Sequence, residues 1–174
     1  FIKVMGRSAS HVALECALET QPNICLISEE VAAKKMSLSQ IADYIADSVE
    51  KRAAKGMNFG VAIIPEGVVE FVPEFSVLIQ EINELLAGSK ADAFNELPTW
   101  EEKYAFIENG LTKESMEVFA ILPTTIQQQL FLERDPHGNV QVSLIESEKL
   151  FSALVADKLA ARKAAGTYTG CLLY

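Results

Sequence analysis

Apolar positions in the first part of the chain fall into short runs separated by amphipathic stretches. Residues 2–5 (Ile2, Lys3, Val4, Met5) read as a strand, and residues 8–20 as a helix with Val12, Cys16 and Leu18 apolar. Pro22 and Asn23 break the chain before a second buried strand at 24–27. Ser37 and Gln40 stand at capping-box spacing, and Leu38, Ile41, Ile45 and Val49 continue from them at three-to-four spacing. That predicts a helix reaching about Ala54, with Gly56 to terminate it. Residues 59–64 are then apolar throughout, as in a strand covered on both faces. Strand, helix, strand, helix, strand predicts a parallel sheet with right-handed crossovers. Residues 1–72 are therefore expected to form a Rossmann-like α/β unit.

From Pro73 the period changes. Pro73 suits a first helical turn, and Phe75, Leu78, Ile82 and Leu85 make one face until Gly88. Thr99 and Glu102 form another capping box ahead of Tyr104, Phe106 and Ile107, and Asn109 and Gly110 stop that helix. Further helices are expected at 113–121 and 124–133. Asp135, Pro136, His137, Gly138 and Asn139 form a turn cluster. Ser143 and Glu146 should cap a last long helix carrying Leu150, Leu154 and Val155, with Arg162 and Lys163 near its terminal Gly166. Residues 73–170 thus read as a mostly helical region, without repeats or low-complexity stretches.

Composition narrows the function classes. The 174 residues are 49% apolar, enough for one ordinary domain or one with a modest appendage. A chain of this size buries roughly 70% of its unfolded surface and needs no disulfide or metal to hold a core. A net charge of −9 makes nucleic acid and anionic membrane poor partners. An anionic small ligand would need local positive groups. Cys16, Cys25 and Cys171 form no CxxC pair, and Cys16 on its helix pattern and Cys25 in its strand pattern are expected as buried thiols. His11 and His137 have no second ligand at helical spacing, so no zinc site is expected. No apolar run approaches 18 residues and no signal peptide opens the chain, which points to the cytoplasm. Phe1 opens directly into a strand pattern, so the chain is expected to be a piece of something larger.

In a parallel sheet, ligands bind beyond the carboxyl ends of the strands. Three segments qualify: Met5, Gly6, Arg7 and Ser8; Ser28, Glu29 and Glu30; Pro65, Glu66 and Gly67. The first joins a glycine for close approach, a planar guanidinium and a helix N-terminus, the parts of an anion cradle. The third puts a carboxylate on a tight loop, where it can accept hydrogen bonds from hydroxyls. Phosphate donors beside a hydroxyl acceptor suggest a sugar phosphate, with a purely structural turn and loop as the plainer alternative. Glu29 and Glu30 together would repel a phosphate and read as structural. His11 reads as a packing or surface residue and His137 as a turn residue. Glu101 and Glu102 read as a capped helix start, and Trp100 and the phenylalanines as core or interface.

Longer motifs sharpen this. Met5, Gly6 and Arg7 are followed by Ser10, His11, Val12, Ala13, Leu14, Glu15 and Cys16. Next come Glu29 through Lys35, and then Ile64, Pro65, Glu66 and Gly67. Leu122 with Pro123, Gln129 with Leu130, the run from Leu132 to Val142, Ile145 with Glu146, and Glu148 with Lys149 complete the set. Jointly these closely resemble the pyrophosphate-dependent phosphofructokinases of the long type, in the catalytic, beta-subunit-like lineage. The likeness covers residues 1–170.

The resemblance implies the phosphofructokinase fold, with a helical insertion over about 73–165. It implies transfer of a phosphoryl group from pyrophosphate to fructose 6-phosphate with Mg²⁺. It puts Met5, Gly6, Arg7 and Glu66 on fructose 6-phosphate. The family's glycine-rich loop, metal-binding Asp and catalytic base Asp would all precede Phe1. No catalytic residue or metal ligand is therefore expected within this chain, and the chain alone should be inactive. A Tyr–x–Gly–Arg stretch expected after Gly170 is replaced by Cys171, Leu172, Leu173 and Tyr174, an atypical end at 171–174. A homo-oligomer, or the enzyme's remaining domains, would be the protein partner. An ATP-dependent 6-phosphofructokinase and a non-catalytic sugar-phosphate-binding polypeptide are the alternatives.

Overall fold

The computed structural model describes residues 1–87, 89–135 and 137–170. The expected helix stop at Gly88, the turn residue Pro136 and the atypical end at 171–174 lie outside them. Strand β3 (Ala62–Pro65) is buried along its whole length and pairs in parallel on both sides. Its neighbours are β1 (Ile2–Val4) and β2 (Ile24–Cys25), giving the order β1-β3-β2. Ile2 lies opposite Ile63 and Val4 opposite Pro65, while Ile24 lies opposite Ala62. The chain leaves β1 through helix α1 (His11–Thr20), skips a strand position to reach β2, and returns through α2 (Ser28–Lys34) and α3 (Leu38–Ala53) to the middle. The expected α/β architecture with a parallel sheet is present.

Local chemistry explains where elements begin. Ser37 Oγ accepts the Gln40 N–H at 3.1 Å and Gln40 Oε1 accepts the Ser37 N–H at 2.9 Å, so the capping box of α3 is complete. Leu38, Ile41, Ala42, Ile45 and Ala46 are its buried stripe. Helix α1 starts three residues later than its apolar pattern suggests. Strand β3 starts at Ala62 rather than 59, because the backbone before it has other partners. Asn23 Oδ1 takes the Val61 N–H at 2.9 Å, and Arg52 donates twice to the Phe59 carbonyl, leaving Phe59 75% exposed. Helix α2 was not anticipated, although Glu29 and Glu30 in its first turn and Lys34 in its last suit the helix dipole. Cys16 and Cys25 are half-buried rather than buried. Partial burial, and then the neighbouring Cys16, push the Cys25 thiol up.

The chain groups into two compact units, Phe1–Pro73 with Glu146–Tyr174, and Glu74–Ile145. Sequence period alone ran the helical region unbroken from 73 to 170. Helix α9 (Ser147–Ala164) instead packs along α3 in the first unit, burying Leu150, Phe151, Val155 and Leu159. Ion pairs line the edge of this contact. Lys158 Nζ lies 2.9 Å from Asp43, and Arg162 reaches Asp43, Asp47 and Glu50 at 3.2, 2.7 and 2.9 Å. The expected Ser143 cap does not form. Ser143 sits in a 3-10 turn (Val142–Leu144), and Glu146 occupies the N-cap of α9.

The second unit is helical: α4 (Pro73–Leu85), α5 (Ser89–Glu96), α6 (Trp100–Gly110), α7 (Lys113–Ala120) and α8 (Thr124–Leu132). Phe94, Phe106, Phe119 and Phe131 form a chain of tilted and edge-on ring contacts; Phe94, Phe119 and Phe131 are core, and Phe106 is half-buried at its end. Asn83 Oδ1 accepts from Arg134 Nη1 at 3.0 Å and from the Val140 N–H at 2.8 Å. Asp135 Oδ1 accepts the His137 and Asn139 N–H groups, each at 2.9 Å, closing the turn. Among the described residues, no helix is long and apolar enough to cross a membrane.

Two outcomes follow from these networks. The Lys158 hydrogen bond holds the Asp43 carboxyl below its ordinary value. A carboxyl depressed in the fold adds stability above its unfolded value, about 3.9, and that stability is lost as pH falls through the folded value. Lys158→Met should therefore lower the urea midpoint at neutral pH, and the difference from the unaltered protein should shrink progressively as pH falls below the unfolded value. A difference constant with pH would contradict the linkage. In the second unit, Asn83→Ala removes the acceptor shared by Arg134 and Val140. It should cost roughly 1–3 kcal/mol in denaturant unfolding, and a neutral result would show the donors finding water.

Candidate functional site

Parallel pairing sets the carboxyl ends of β1 and β3 side by side. The Glu66 N–H donates to the Val4 carbonyl at 2.9 Å, and the Gly67 N–H approaches the Gly6 carbonyl at 3.4 Å. The two loops touch backbone to backbone. A Cβ on Gly67 would stand 1.8 Å from the Arg7 carbonyl oxygen, so only glycine fits. Gly6 has φ +135°, and a Cβ there would meet the Ala9 carbonyl oxygen at 2.6 Å. A 3-10 turn (Val68–Phe71) follows β3 and carries Glu70, whose Oε1 accepts from Arg7 Nε at 3.2 Å.

The fold thus brings Gly6, Arg7 and Glu66 to one rim of the sheet, with Met5 beside them in the chain. Met5 is 78% exposed and the Arg7 side chain 58% exposed. Glu66 is half-buried, and its carboxylate has no partner among the described residues. The rim therefore offers guanidinium donors for an anion and a carboxylate acceptor for hydroxyls. Among the described residues, no group of three or more His, Cys, Asp or Glu is placed to hold a metal ion.

The loop after β2 is tied to the same rim. Ser10 is buried, its Oγ accepts the Ser28 N–H at 2.8 Å, and its own N–H donates to Glu29 Oε1 at 3.0 Å. That backbone hydrogen bond is the main cause holding the Glu29 carboxyl below its usual range. Glu30 pairs with Lys34 one turn along α2. Both carboxylates are thereby structural. The helix N-terminus expected beside Arg7 is not there: α1 opens at His11, and Glu29 occupies the amide of Ser10 just before it.

Sequence reasoning missed Glu70, while its structural reading of Glu29 and Glu30 agrees with their partners. Glu70 meets Arg7 across 63 positions, and no local spacing signals a contact of that range. A cavity of about 660 Å³ opens at the opposite, amino end of the strands, lined by Phe1, Asn23, Arg52, Phe59, Val61 and Tyr168 among others. None of the rim residues lines it.

The close approach at Gly67 has a measurable consequence. Gly67→Ala must push the Arg7 backbone away, so it should destabilise the protein by roughly 1–3 kcal/mol or more, as overpacking does. Unchanged thermal unfolding of Gly67→Ala would contradict the contact.

No family model matches the chain. Curated relatives do. Over 98% of its length it is 51% identical to the pyrophosphate–fructose 6-phosphate 1-phosphotransferase of Treponema pallidum, covering 30% of that protein. It is 51% identical to the beta subunit of the Solanum tuberosum enzyme of that name, over 97% of this chain and 28% of that one. Against the alpha subunit from the same plant identity falls to 40%, over 98% of this chain and 26% of that one, in line with the expected beta-like lineage. The chain is therefore homologous, along almost its whole length, to one stretch of the pyrophosphate–fructose 6-phosphate 1-phosphotransferases, and spans about 30% of the length of the relatives it matches.

Proposed function

We propose that this chain supplies part of the fructose 6-phosphate site of a pyrophosphate-dependent phosphofructokinase of glycolysis. The observation that carries this reading is the joining of Arg7 and the unpartnered Glu66 on one rim, in a chain about half identical to such enzymes. The whole enzyme would move a phosphoryl group from pyrophosphate to the 1-hydroxyl of fructose 6-phosphate, giving fructose 1,6-bisphosphate. Catalysis of that class rests on positioning and on stabilising the charge spread over the transferred group. Arg7 is suited to the charge, Glu66 to the sugar hydroxyls, and Met5 and Gly6 to the wall of the site. The matched relatives carry pyrophosphate in their names, which favours it over ATP as the donor.

Mg²⁺ would supply charge neutralisation on the donor side. The described residues offer no donor set for it, and its ligands would come from the rest of the enzyme. The outer edge of β1 has no strand partner among the described residues, and Ile2 is 51% exposed. Parallel sheets rarely leave such an edge bare, which supports further domains of the enzyme or a second subunit as partner. The cytoplasm is the proposed compartment.

Kinetics of the full-length protein test the roles. Losing one partner of a charge-assisted hydrogen bond costs roughly 1.5–3 kcal/mol, on the order of 10- to 150-fold. Glu66→Ala should mainly raise KM for fructose 6-phosphate and leave KM for pyrophosphate nearly unchanged. Arg7→Ala should mainly lower kcat. The 174-residue chain by itself should show no turnover in a coupled assay. Near-normal kinetics in both folded variants would sink the assignment of the sugar-phosphate site.

A further inference from the structure

We infer that Glu70 is a positioning residue that sets the orientation of the Arg7 guanidinium on the rim; this rests on the sugar-phosphate reading of that rim. Three features combine. Glu70 Oε1 meets Arg7 at Nε, 3.2 Å away, and not at the two terminal nitrogens. A carboxylate on Nε fixes the plane of the guanidinium while its terminal edge, the fork that matches a phosphate, stays available to another acceptor. Glu70 is itself held. It sits in the 3-10 turn immediately after β3, where its N–H donates to the Gly67 carbonyl at 3.0 Å and its neighbours Val68 and Val69 are fully buried. The main chain of Arg7 is pinned from the other side, by the close approach of Gly67 to its carbonyl oxygen.

The same turn therefore grips Arg7 at both ends, backbone and head group. A long side chain that is 58% exposed would otherwise sample many rotamers. Fixing it before substrate arrives removes an ordering cost from the bound state. Stability is not the reason for the pair, because exposed ion pairs contribute about 0–1 kcal/mol. Orientation is. Misplacing a substrate-facing group by about 1 Å can cost on the order of 100-fold in rate.

The test uses the full-length protein and four variants: Arg7→Ala, Glu70→Ala, Glu70→Gln and the Arg7→Ala/Glu70→Ala double. Glu70→Ala should move the same kinetic parameter as Arg7→Ala, by about 5- to 100-fold, with an unchanged unfolding midpoint. Glu70→Gln keeps an oxygen acceptor for Nε and should recover most of the loss. The double variant should be no worse than Arg7→Ala alone, since Glu70 has nothing left to orient. A defective Arg7→Ala with a normal Glu70→Ala, or multiplicative losses in the double variant, would overturn the positioning role alone. Normal kinetics in Arg7→Ala would overturn the sugar-phosphate reading, and this inference with it. Should Glu70→Ala fail to fold, the Glu70→Gln variant decides: it must retain more than half of normal activity, and a loss as deep as that of Arg7→Ala overturns the role.

Discussion

Strand β3 has a parallel partner on each side, and the geometry of the rim descends from that pairing. Its register against β1 puts Val4 opposite Pro65, so both strands end at the same level. Pro65 has no N–H to give, yet the next amide, Glu66, still reaches the Val4 carbonyl. The ladder therefore runs one residue past the strand and hands the two loops to each other in backbone contact. A slip of one residue would turn every side chain of β1 to the other face and separate Arg7 from Glu70. Register is held by burial: Ala62, Ile63 and Ile64 are all core, and Ile64 is fully enclosed.

Much of this framework can be read in the sequence because its signals are local. The capping box of Ser37 and Gln40 and the stripe from Leu38 to Ile45 operate within a few residues and survive folding unchanged, and the strand–helix alternation survives with one added helix, α2. The Met5, Gly6, Arg7 and Pro65, Glu66, Gly67 segments could be placed at strand ends for the same reason. What escaped reading depends on partners far along the chain. Period alone cannot show that Asn23 and Arg52 take up the backbone before β3, shortening it. It cannot show that α9 comes back to α3 through Lys158 and Asp43, 115 residues apart. Ser143 and Glu146 stand at capping spacing, but the chain there winds first into a 3-10 turn, and tertiary packing overrides the local preference.

Several carboxylates of this acidic chain, whose charge argues against polyanionic partners, are engaged by partners within the fold. Asp43, Asp47 and Glu50 clasp the cations of α9, and Glu81 and Asp135 accept hydrogen bonds from backbone N–H groups in the helical unit. At the carboxyl ends of the strands the same holds for three carboxylates of four. Glu29 takes the Ser10 amide, Glu30 takes Lys34, and Glu70 takes Arg7. Glu66 is the exception, half-buried with no partner among the described residues. A polar group taken partly out of water is best satisfied when hydrogen bonds replace that water. The rim satisfies its other acids and leaves this one open, and that contrast is what supports the proposed reading of Glu66 as an acceptor for the hydroxyls of a sugar.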